Sequence, residues 1–416
     1  FYKLVDAVRK EMGEAYPELM NHEIEKVIEA EERRFLQTLS KGMDILDAAI
    51  AENKTGVLPG DVVFKLHDTY GFPADLTADV CRERGISVNT AEFDAAMERQ
   101  RAAARASAKF KMAQGLDYTG ADTVFTGYET LTEKDAEVVA LYANGEPVDR
   151  VEAGSECVVV FNRTPFYAES GGQVGDQGEA KNATAILKVL DTFRVKAAVT
   201  GLQCHVAEGH VAVGDKFDLA VDEARREATA RNHSVTHLMH FALRTVLGDK
   251  VAQKGSLVTP EILRFDFSHF QKVTHEELRR VEQLVNRAIR ANYPLEEKRD
   301  ATKEEAAAAG AMMLFGEKYG DRVRMVRFGT SVELCGGTHV SATGNIGFFK
   351  ILNESAISAG VRRIEATTGA KAEEVIYAAE DTMRNVADYL NNPQILQSIK
   401  KIMESNEALK HEMEAI

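Results

Sequence analysis

Two short motifs, each with two metal-ligand side chains four residues apart, constrain this chain more than any other feature. They read HSVTH, from His233 to His237, and CGGTH, from Cys335 to His339. On a helix, residues four apart lie on one face, so the two histidines of the first motif can present their imidazoles to one ion. The second motif would complete a set of one cysteine and three histidines, which suits zinc better than magnesium or calcium. Because the motifs are far apart, we expect the metal to join two distant elements of one folded domain.

The motifs leave the chemistry of this metal open. Ser234 stands where HExxH metalloproteases have their catalytic glutamate, which makes peptide hydrolysis a weak hypothesis. His240 lies on the same predicted helical face as His237 and is an alternative ligand, although packing beside the ligands is its simpler role. Four protein ligands would close a tetrahedral site, whereas three would leave a position for water or substrate.

Composition places the chain among ordinary globular proteins. Its length of 416 residues is enough for several domains. A hydrophobic content of 44% and a charged content of 28% are ordinary for a globular protein. The net charge of −14 excludes a coat that binds any nucleic acid through a basic surface, but it permits a local basic patch. The sequence has no apolar run of bilayer length and no CxxC pair, which predicts reduced thiols and a cytoplasmic protein without membrane partners. Because the first residue is Phe1, we expect the sequence to be part of a longer protein.

The pattern of hydrophobic residues predicts a multi-domain α+β protein with four segments. Residues 1–115 show helical periodicity, and residues 116–221 contain short Val- and Thr-rich runs separated by glycines, which is typical of a small β-barrel. Residues 222–370 alternate predicted helices and strands around both motifs, with Asp222 as the N-cap of the helix that carries HSVTH. Residues 371–416 return to helix.

The last segment contains a heptad repeat that predicts the start of a coiled coil. Its seam alternates spacings of four and three residues and includes one asparagine: Ile395, Ile399, Ile402, Asn406, Leu409, Met413 and Ile416. We therefore expect a homo-oligomer that forms through this helix. The alternative is a single amphipathic helix that folds back on the body of the protein.

Two further features carry weaker signals. Gly171, Gly172 and Gln173 can bring backbone close to a substrate, yet an ordinary barrel turn explains them nearly as well. Arg362 and Arg363 lie in a strand-like run and can either contact phosphate or serve as solvated surface charges. The sequence contains no P-loop, no GxGxxG and no GxSxG motif, so it offers no ATP site of its own.

Six sequence strings, taken in order, resemble the bacterial alanyl-tRNA synthetases. They are FKLHDTYGFPADLT from Phe64, TPFYAESGGQ from Thr164, HSVTHLMH from His233, QKGSLV from Gln253, LCGGTH from Leu334 and GVRRIEA from Gly360. The resemblance extends from residue 1 to about residue 370, downstream of the family's aminoacylation core. It implies that ATP-dependent ligation of alanine is absent from this part of the protein, and that tRNA binding and editing are present.

The resemblance also implies roles for the predicted segments. Residues 1–115 would form the C-terminal part of the helical tRNA-recognition domain. Residues 116–221 would form the barrel of the editing domain, and residues 222–370 its zinc-binding core. Residues 371–416 would begin the linker towards the family's C-terminal domain.

Individual residues acquire roles in the same way. The resemblance implies that zinc is bound by His233, His237, Cys335 and His339. It implies that Thr236 and Gln253 are polar residues of the catalytic editing pocket. Asp68 would help to read the G·U pair in the acceptor stem of the alanine tRNA, although the asparagine that assists it in the family lies outside this sequence.

The main hypothesis is therefore zinc-dependent hydrolysis of alanine tRNA that carries serine or glycine at its 3′ end. A pocket sized for alanine rejects serine poorly, and a second site can invert the selection by pairing the serine hydroxyl with a polar group such as Thr236. An alanyl ester would leave that group unpaired and bind less well. The alternative is a tRNA-binding module in which zinc is structural and no catalysis occurs.

Overall fold

The computed structural model divides the chain into two compact units, Phe1–Gly115 and Leu116–Ile416. The residues that it describes are 1–20, 22–107, 116–312 and 320–414. The predicted boundary at residue 115 and the last heptad position, Ile416, lie outside the described residues. In the described ranges, no helix combines the length and the apolar character that a bilayer crossing requires.

The first unit is helical, as its periodicity predicts. Its elements are α1 (Val5–Met12), α2 (Glu23–Glu52), β1 (Val57–Leu58), α3 (Gly60–Tyr70), α4 (Ala74–Glu83), β2 (Ser87–Val88) and α5 (Thr90–Ser107). Strands β1 and β2 pair in parallel, and the apolar faces of the helices meet around Leu46, Leu66 and Phe72. The ring of Phe72 packs directly on α2, because a Cβ at Gly42 would lie 2.1 Å from it.

The second unit begins with a β-barrel. The strands of this part of the chain, six of which form the barrel, are β3 (Val124–Phe125), β4 (Thr132–Ala143), β5 (Glu146–Pro147), β6 (Arg150–Glu152), β7 (Glu156–Phe161), β8 (Arg163–Thr164), β9 (Gly178–Lys181), β10 (Ile186–Lys196), β11 (Val199–Glu208), β12 (His210–Ala212) and β13 (Lys216–Val221). The order β13-β9-β10-β11-β7-β4 closes into a ring, since β13 also pairs with β4. Alternating apolar residues such as Phe161, Leu202 and Phe217 fill the interior.

Helices and two further sheets follow the barrel. These elements are α6 (Glu223–Leu247), β14 (Gln253–Val258), β15 (Leu263–Ser268), α7 (His275–Arg290), β16 (Glu296–Thr302), α8 (Lys303–Ala308), β17 (Arg322–Phe328), β18 (Ser331–Leu334), β19 (Phe349–Ser358) and β20 (Val361–Thr368). One sheet has the order β14-β15-β20-β19, and the other has the order β16-β17-β18. Helices α6 and α7 pack on the four-stranded sheet through Met239, Val281 and Phe265, all of which are fully buried.

Helices α9 (Gly369–Tyr389) and α10 (Ile395–Glu414) end the described chain. The heptad seam lies on α10, where Ile402 is 56% exposed and Leu409 is 56% exposed. The predicted coiled coil and the oligomer that it would form therefore stay predictions. Taken as a whole, the fold confirms a mixed α+β protein with a closed six-stranded barrel. The segment boundaries at residues 221 and 370 also stay predictions.

Candidate metal centre

Helix α6 carries the first motif through the interior of the second unit. The side chain of Asp222 accepts a hydrogen bond from the Arg225 amide, which confirms the predicted N-cap. Residues 232–240 are all buried, because α7 and strands of both sheets surround this part of the helix. Polar groups buried there need partners, so the histidines of this helix are expected to bind something other than water.

The second motif follows β18 and meets the first. One nitrogen or sulfur atom from each of His233, His237, Cys335 and His339 lies within 4.8 Å of the others. The Cys335 Sγ atom is 3.4 Å from His233 Nε2 and 3.3 Å from His339 Nε2. Ligands of a tetrahedral ion at 2.0–2.3 Å stand roughly 3.3–3.8 Å apart, so the two sulfur–nitrogen distances fit one shared ion, and the full set, which spreads to at most 4.8 Å, would contract around it. The structure thus brings together the four side chains that the sequence singles out.

A hydrogen bond on the far side of one ring leaves the nitrogen that faces the cluster free of a proton. His233 Nδ1 lies 2.6 Å from Gln173 Oε1, an oxygen that can only accept, so the ring proton is on Nδ1 and Nε2 is available as a metal ligand. His339 Nδ1 lies 3.0 Å from Ser234 Oγ, which also accepts from the Val340 amide. Both rings are thus held by a polar side chain through the nitrogen that faces away from Cys335, an arrangement that is common for metal-binding histidines.

Gln173 links the barrel to the cluster. Its side chain is fully buried; Oε1 accepts from the Thr338 amide at 2.9 Å, and Nε2 donates to Thr338 Oγ1 at 2.8 Å. The three hydrogen bonds of this side chain are thus directed at the second motif and at His233. A role in orienting the ligands accounts for these contacts better than the predicted contact with substrate.

Gly337 leaves the space in which His233 lies. A Cβ at this position would be 1.9 Å from Cε1 and 2.2 Å from Nδ1 of that ring. The neighbouring Gly336 faces open space, with nothing within 4 Å of its Cβ position. Only the second glycine of the CGGTH turn is therefore required by packing.

Electrostatics prepare the cluster for a cation. Burial raises the pKa of the Cys335 thiol, but the surrounding imidazoles, His233 first, outweigh burial and hold that pKa well below its usual value. Burial lowers the pKa of His339 to about 3. Burial also opposes charge on His237, yet Glu333 and the Cys335 thiolate raise its pKa to about 9. Without metal, the cluster thus combines a thiolate with a protonated imidazole, and a bound ion would replace that proton.

Glu333 lies behind the ligands, two residues before Cys335. Its carboxylate is 3.4 Å from His237 Nε2 and 2.9 Å from His240 Nδ1, and the residue is 7% exposed. His240 is therefore held through Glu333 and is not one of the four clustered ligands. Its predicted role of packing beside the ligands agrees with this position.

A cleft of about 620 Å³ opens beside the cluster. The barrel contributes residues 127–131, α6 contributes Arg226 and Arg231, and the second motif contributes Thr338 and His339. This volume is in the range of small-molecule sites. His339 belongs both to the cluster and to the wall of the cleft, so a molecule in the cleft would reach the metal ligands.

The predicted pocket residues occupy two different positions. Thr236 is 5% exposed, and its hydroxyl donates to the Asn232 carbonyl at 2.8 Å, so only its acceptor lone pairs remain. Gln253 is partly buried and begins β14, opposite Phe267. Among the described residues, neither of the two lines the 620 Å³ cleft.

The two glycines before Gln173 place the barrel turn against β14. The Gly172 carbonyl accepts from the Val258 amide at 2.7 Å, and a Cβ at Gly172 would lie 2.5 Å from the Ser256 carbonyl. Gly171 adopts a φ of +58° and faces open space. The close approach is therefore made to the protein's own strand, which leaves the predicted contact with substrate untested.

The predicted tRNA-binding residues are not members of the four-residue cluster. Arg363 binds both carboxylate oxygens of Asp266 at 2.7 and 2.8 Å, and Arg362 pairs with Glu354 on the same sheet. A phosphate would have to compete with these carboxylates. Asp68 is exposed on α3 of the first unit. Contacts of these residues with tRNA stay predictions.

Sequence reasoning missed the residues that support the ligands. Ser234 appeared only as the residue that replaces a protease glutamate, and Glu333 was not singled out. Two more residues, Arg324 and Tyr128, contact the backbone of the CGGTH turn. Ser234 and Glu333 lie within two residues of a ligand, but no local pattern marks their role, and Arg324 and Tyr128 reach the turn from 11 and 208 positions away.

Comparison with known proteins agrees with this architecture. The family of class II (A) tRNA synthetases matches residues 1–225, and the second additional domain of threonyl and alanyl tRNA synthetases matches residues 323–365. The second match lies on β17, the CGGTH turn and β20.

Individual relatives agree over the whole chain. An alanine–tRNA ligase of Delftia acidovorans is 53% identical over 420 residues, covering 100% of this chain and 48% of that protein. The alanine–tRNA ligase of Polynucleobacter asymbioticus is 50% identical over 420 residues with the same coverage. The chain therefore spans about half the length of the curated relatives that it matches. On these matches, the chain belongs to the alanyl-tRNA synthetase family.

Proposed function

We propose that this chain hydrolyses the ester bond between a wrongly attached serine or glycine and the 3′ end of alanine tRNA. The observation that carries the proposal is the position of His339, which is one of four clustered metal ligands and also forms part of the wall of a 620 Å³ cleft. A purely structural metal needs no such access. The match to the second additional domain of threonyl and alanyl tRNA synthetases supports the same assignment.

The donor set supports zinc as the metal. One thiolate and three imidazole nitrogens are ligands that zinc prefers, and magnesium or calcium would require oxygen ligands. When bound, zinc would supply a positive charge that stabilises negative charge developing on the ester. The protein's own contribution is to hold Cys335 as a thiolate, to keep Nε2 of His233 free of a proton and to hold the His339 ring through Ser234.

Thr236 is the residue proposed for choosing serine over alanine, and because it does not line the 620 Å³ cleft, this role rests on its hydrogen-bonding chemistry and on the family match. Its hydroxyl proton is donated to the Asn232 carbonyl, so its oxygen can accept a hydrogen bond from a serine hydroxyl. An alanyl group offers no such donor and gains nothing from this oxygen. The family match supports tRNA as the partner and the cytoplasm as the location, and Asp68, Arg362 and Arg363 remain the proposed tRNA contacts.

Hydrolysis assays on purified protein test this function. The wild type should hydrolyse alanine tRNA charged with serine and spare the same tRNA charged with alanine. Cys335→Ala should reduce hydrolysis at least about 100-fold while the fold is retained, because it removes a ligand. His275→Ala serves as a control, since this exposed histidine begins α7 outside the cluster and should leave the rate unchanged.

The alternative, a binding module with structural zinc, makes a different prediction. It requires the wild type to bind alanine tRNA without hydrolysing either ester. An unchanged rate in Cys335→Ala would refute the metal-dependent reaction directly.

A further inference from the structure

The backbone of the CGGTH turn is held by two side chains from outside the motif. Arg324 Nη1 donates to the carbonyl of Cys335 at 3.0 Å and to the carbonyl of Gly337 at 2.7 Å. The Tyr128 hydroxyl donates to the carbonyl of Gly336, which lies between them. Three successive carbonyls of a metal-ligand turn are therefore each held by a side-chain donor.

Arg324 is fixed in place by further contacts. Its own carbonyl accepts from the Cys335 amide at 3.0 Å, so strand β17 and the turn exchange bonds in both directions. The other edge of the guanidinium binds Glu297 at 2.7 and 2.8 Å, and the side chain is 9% exposed. A buried, planar group with donors on both edges used in this way has little freedom to move.

Tyr128 lies in the barrel segment between β3 and β4, and its ring contacts two arginines. Its ring centroid is 4.2 Å from the guanidinium carbon of Arg324 and 4.9 Å from that of Arg299. Phe125, on β3, contacts the same ring edge-on at 4.9 Å, and β3 pairs with β8, the short strand that follows barrel strand β7. The packing of the barrel segment therefore positions the hydroxyl that binds Gly336.

We propose that Arg324 and Tyr128 form a clamp that holds the CGGTH turn in metal-binding geometry, and that the barrel is thereby a structural part of the metal centre. The direction of the Cys335 thiolate depends on the backbone of this turn, and metal sites accept deviations of only about 0.2 Å in ligand distance. The barrel acts on the centre twice, through Tyr128 on the turn and through Gln173 on His233. This inference rests on the metal-binding part of the proposed function and is independent of the hydrolytic reaction.

Two conservative substitutions test the clamp. Tyr128→Phe removes the hydroxyl and keeps the ring, and Arg324→Lys keeps the charge and removes the planar fork. Zinc affinity, measured by competition with a chromophoric chelator, should fall about 5-fold in the first variant and about 10- to 100-fold in the second. The visible absorption of cobalt(II) bound in place of zinc should shift in both, because thiolate geometry changes.

Arg299→Lys is the matched control. Arg299 also lies over the ring of Tyr128 and binds Glu297 and Glu129, while within the described part of the chain its side chain makes no hydrogen bond to the turn. We expect its zinc affinity to change less than twofold. If both clamp variants are folded and keep wild-type affinity and cobalt spectrum, or if the control loses as much affinity as they do, the proposal is wrong. Should Arg324→Lys not fold, Tyr128→Phe decides. Tight zinc binding without ester hydrolysis would refute the proposed reaction. The zinc affinities of the variants would still test the clamp, because they do not depend on hydrolysis.

Discussion

Replacing Gly337 by alanine should abolish tight metal binding while a change one residue earlier does not. The added Cβ would lie 1.9 Å from His233 Cε1, whereas ordinary van der Waals contact begins near 3.4 Å, so the ring must retreat by about 1.5 Å. A shift of this size exceeds by several-fold the roughly 0.2 Å that metal–ligand distances tolerate. His233 would therefore cease to be a ligand.

The ring has no free path for this retreat. It is 6% exposed, and Gln173 holds its Nδ1 at 2.6 Å, so the displacement also breaks a buried hydrogen bond. Overpacking of this kind costs about 1–3 kcal/mol of stability in the metal-free protein. We expect zinc affinity to fall at least about 100-fold, because a ligand and its orienting bond are lost together.

Gly336→Ala is the matched control. Its Cβ would meet nothing within 4 Å, so zinc affinity should change less than twofold and stability by less than about 0.5 kcal/mol. Chelator competition measures the first quantity, and urea unfolding of metal-free protein measures the second. Wild-type zinc affinity in Gly337→Ala, or equal losses in both variants, would refute the geometric argument.

Three further predictions concern the support of the site. Asp176→Ala should lower the free energy of unfolding by about 3–5 kcal/mol in urea titrations, because it leaves the buried guanidinium of Arg226 without its carboxylate; a loss below 1 kcal/mol would contradict this. Asn286→Ala should cost about 2–4 kcal/mol in the same assay, since its side chain pairs with both an amide and a carbonyl of β19; unchanged stability would speak against that account. At pH 7 a thiol reagent should modify Cys335 before Cys157, whose pKa burial raises to about 12, and zinc should slow the first reaction; mass spectrometry showing equal rates would refute it.

Local patterns in the sequence were sufficient for the ligands and for several elements. The spacing of His233 and His237 depends only on helical periodicity, and Asp222 caps the helix through a bond to its own first turn. The turn at Asn144 and Gly145 also follows from local chemistry, because an Asn-Gly pair tolerates positive φ, here 52° and 84°. Each of these features depends on residues that are close together in the chain, so it can be predicted from a single sequence.

The hydrogen bonds that orient the ligands depend on packing between distant parts of the chain, which cannot be predicted from a single sequence. Tyr128 and Gly336 are separated by 208 positions, and Gln173 and Thr338 by 165. Strand β16 has the sequence EEKRDAT, which has no apolar alternation, and it forms because β17 pairs with it. The contacts of Gln173 with His233 and Thr338 could not be predicted for the same reason, since they form only when the barrel packs against the CGGTH turn.

X-ray absorption at the zinc edge of the zinc-loaded protein tests most directly whether the four clustered side chains bind one zinc ion. We expect one zinc ion per chain with one sulfur at about 2.3 Å and three nitrogens at about 2.0–2.1 Å. A first shell with no sulfur, with two sulfurs or composed of oxygen atoms would contradict the assignment of Cys335, His233, His237 and His339 to one metal centre.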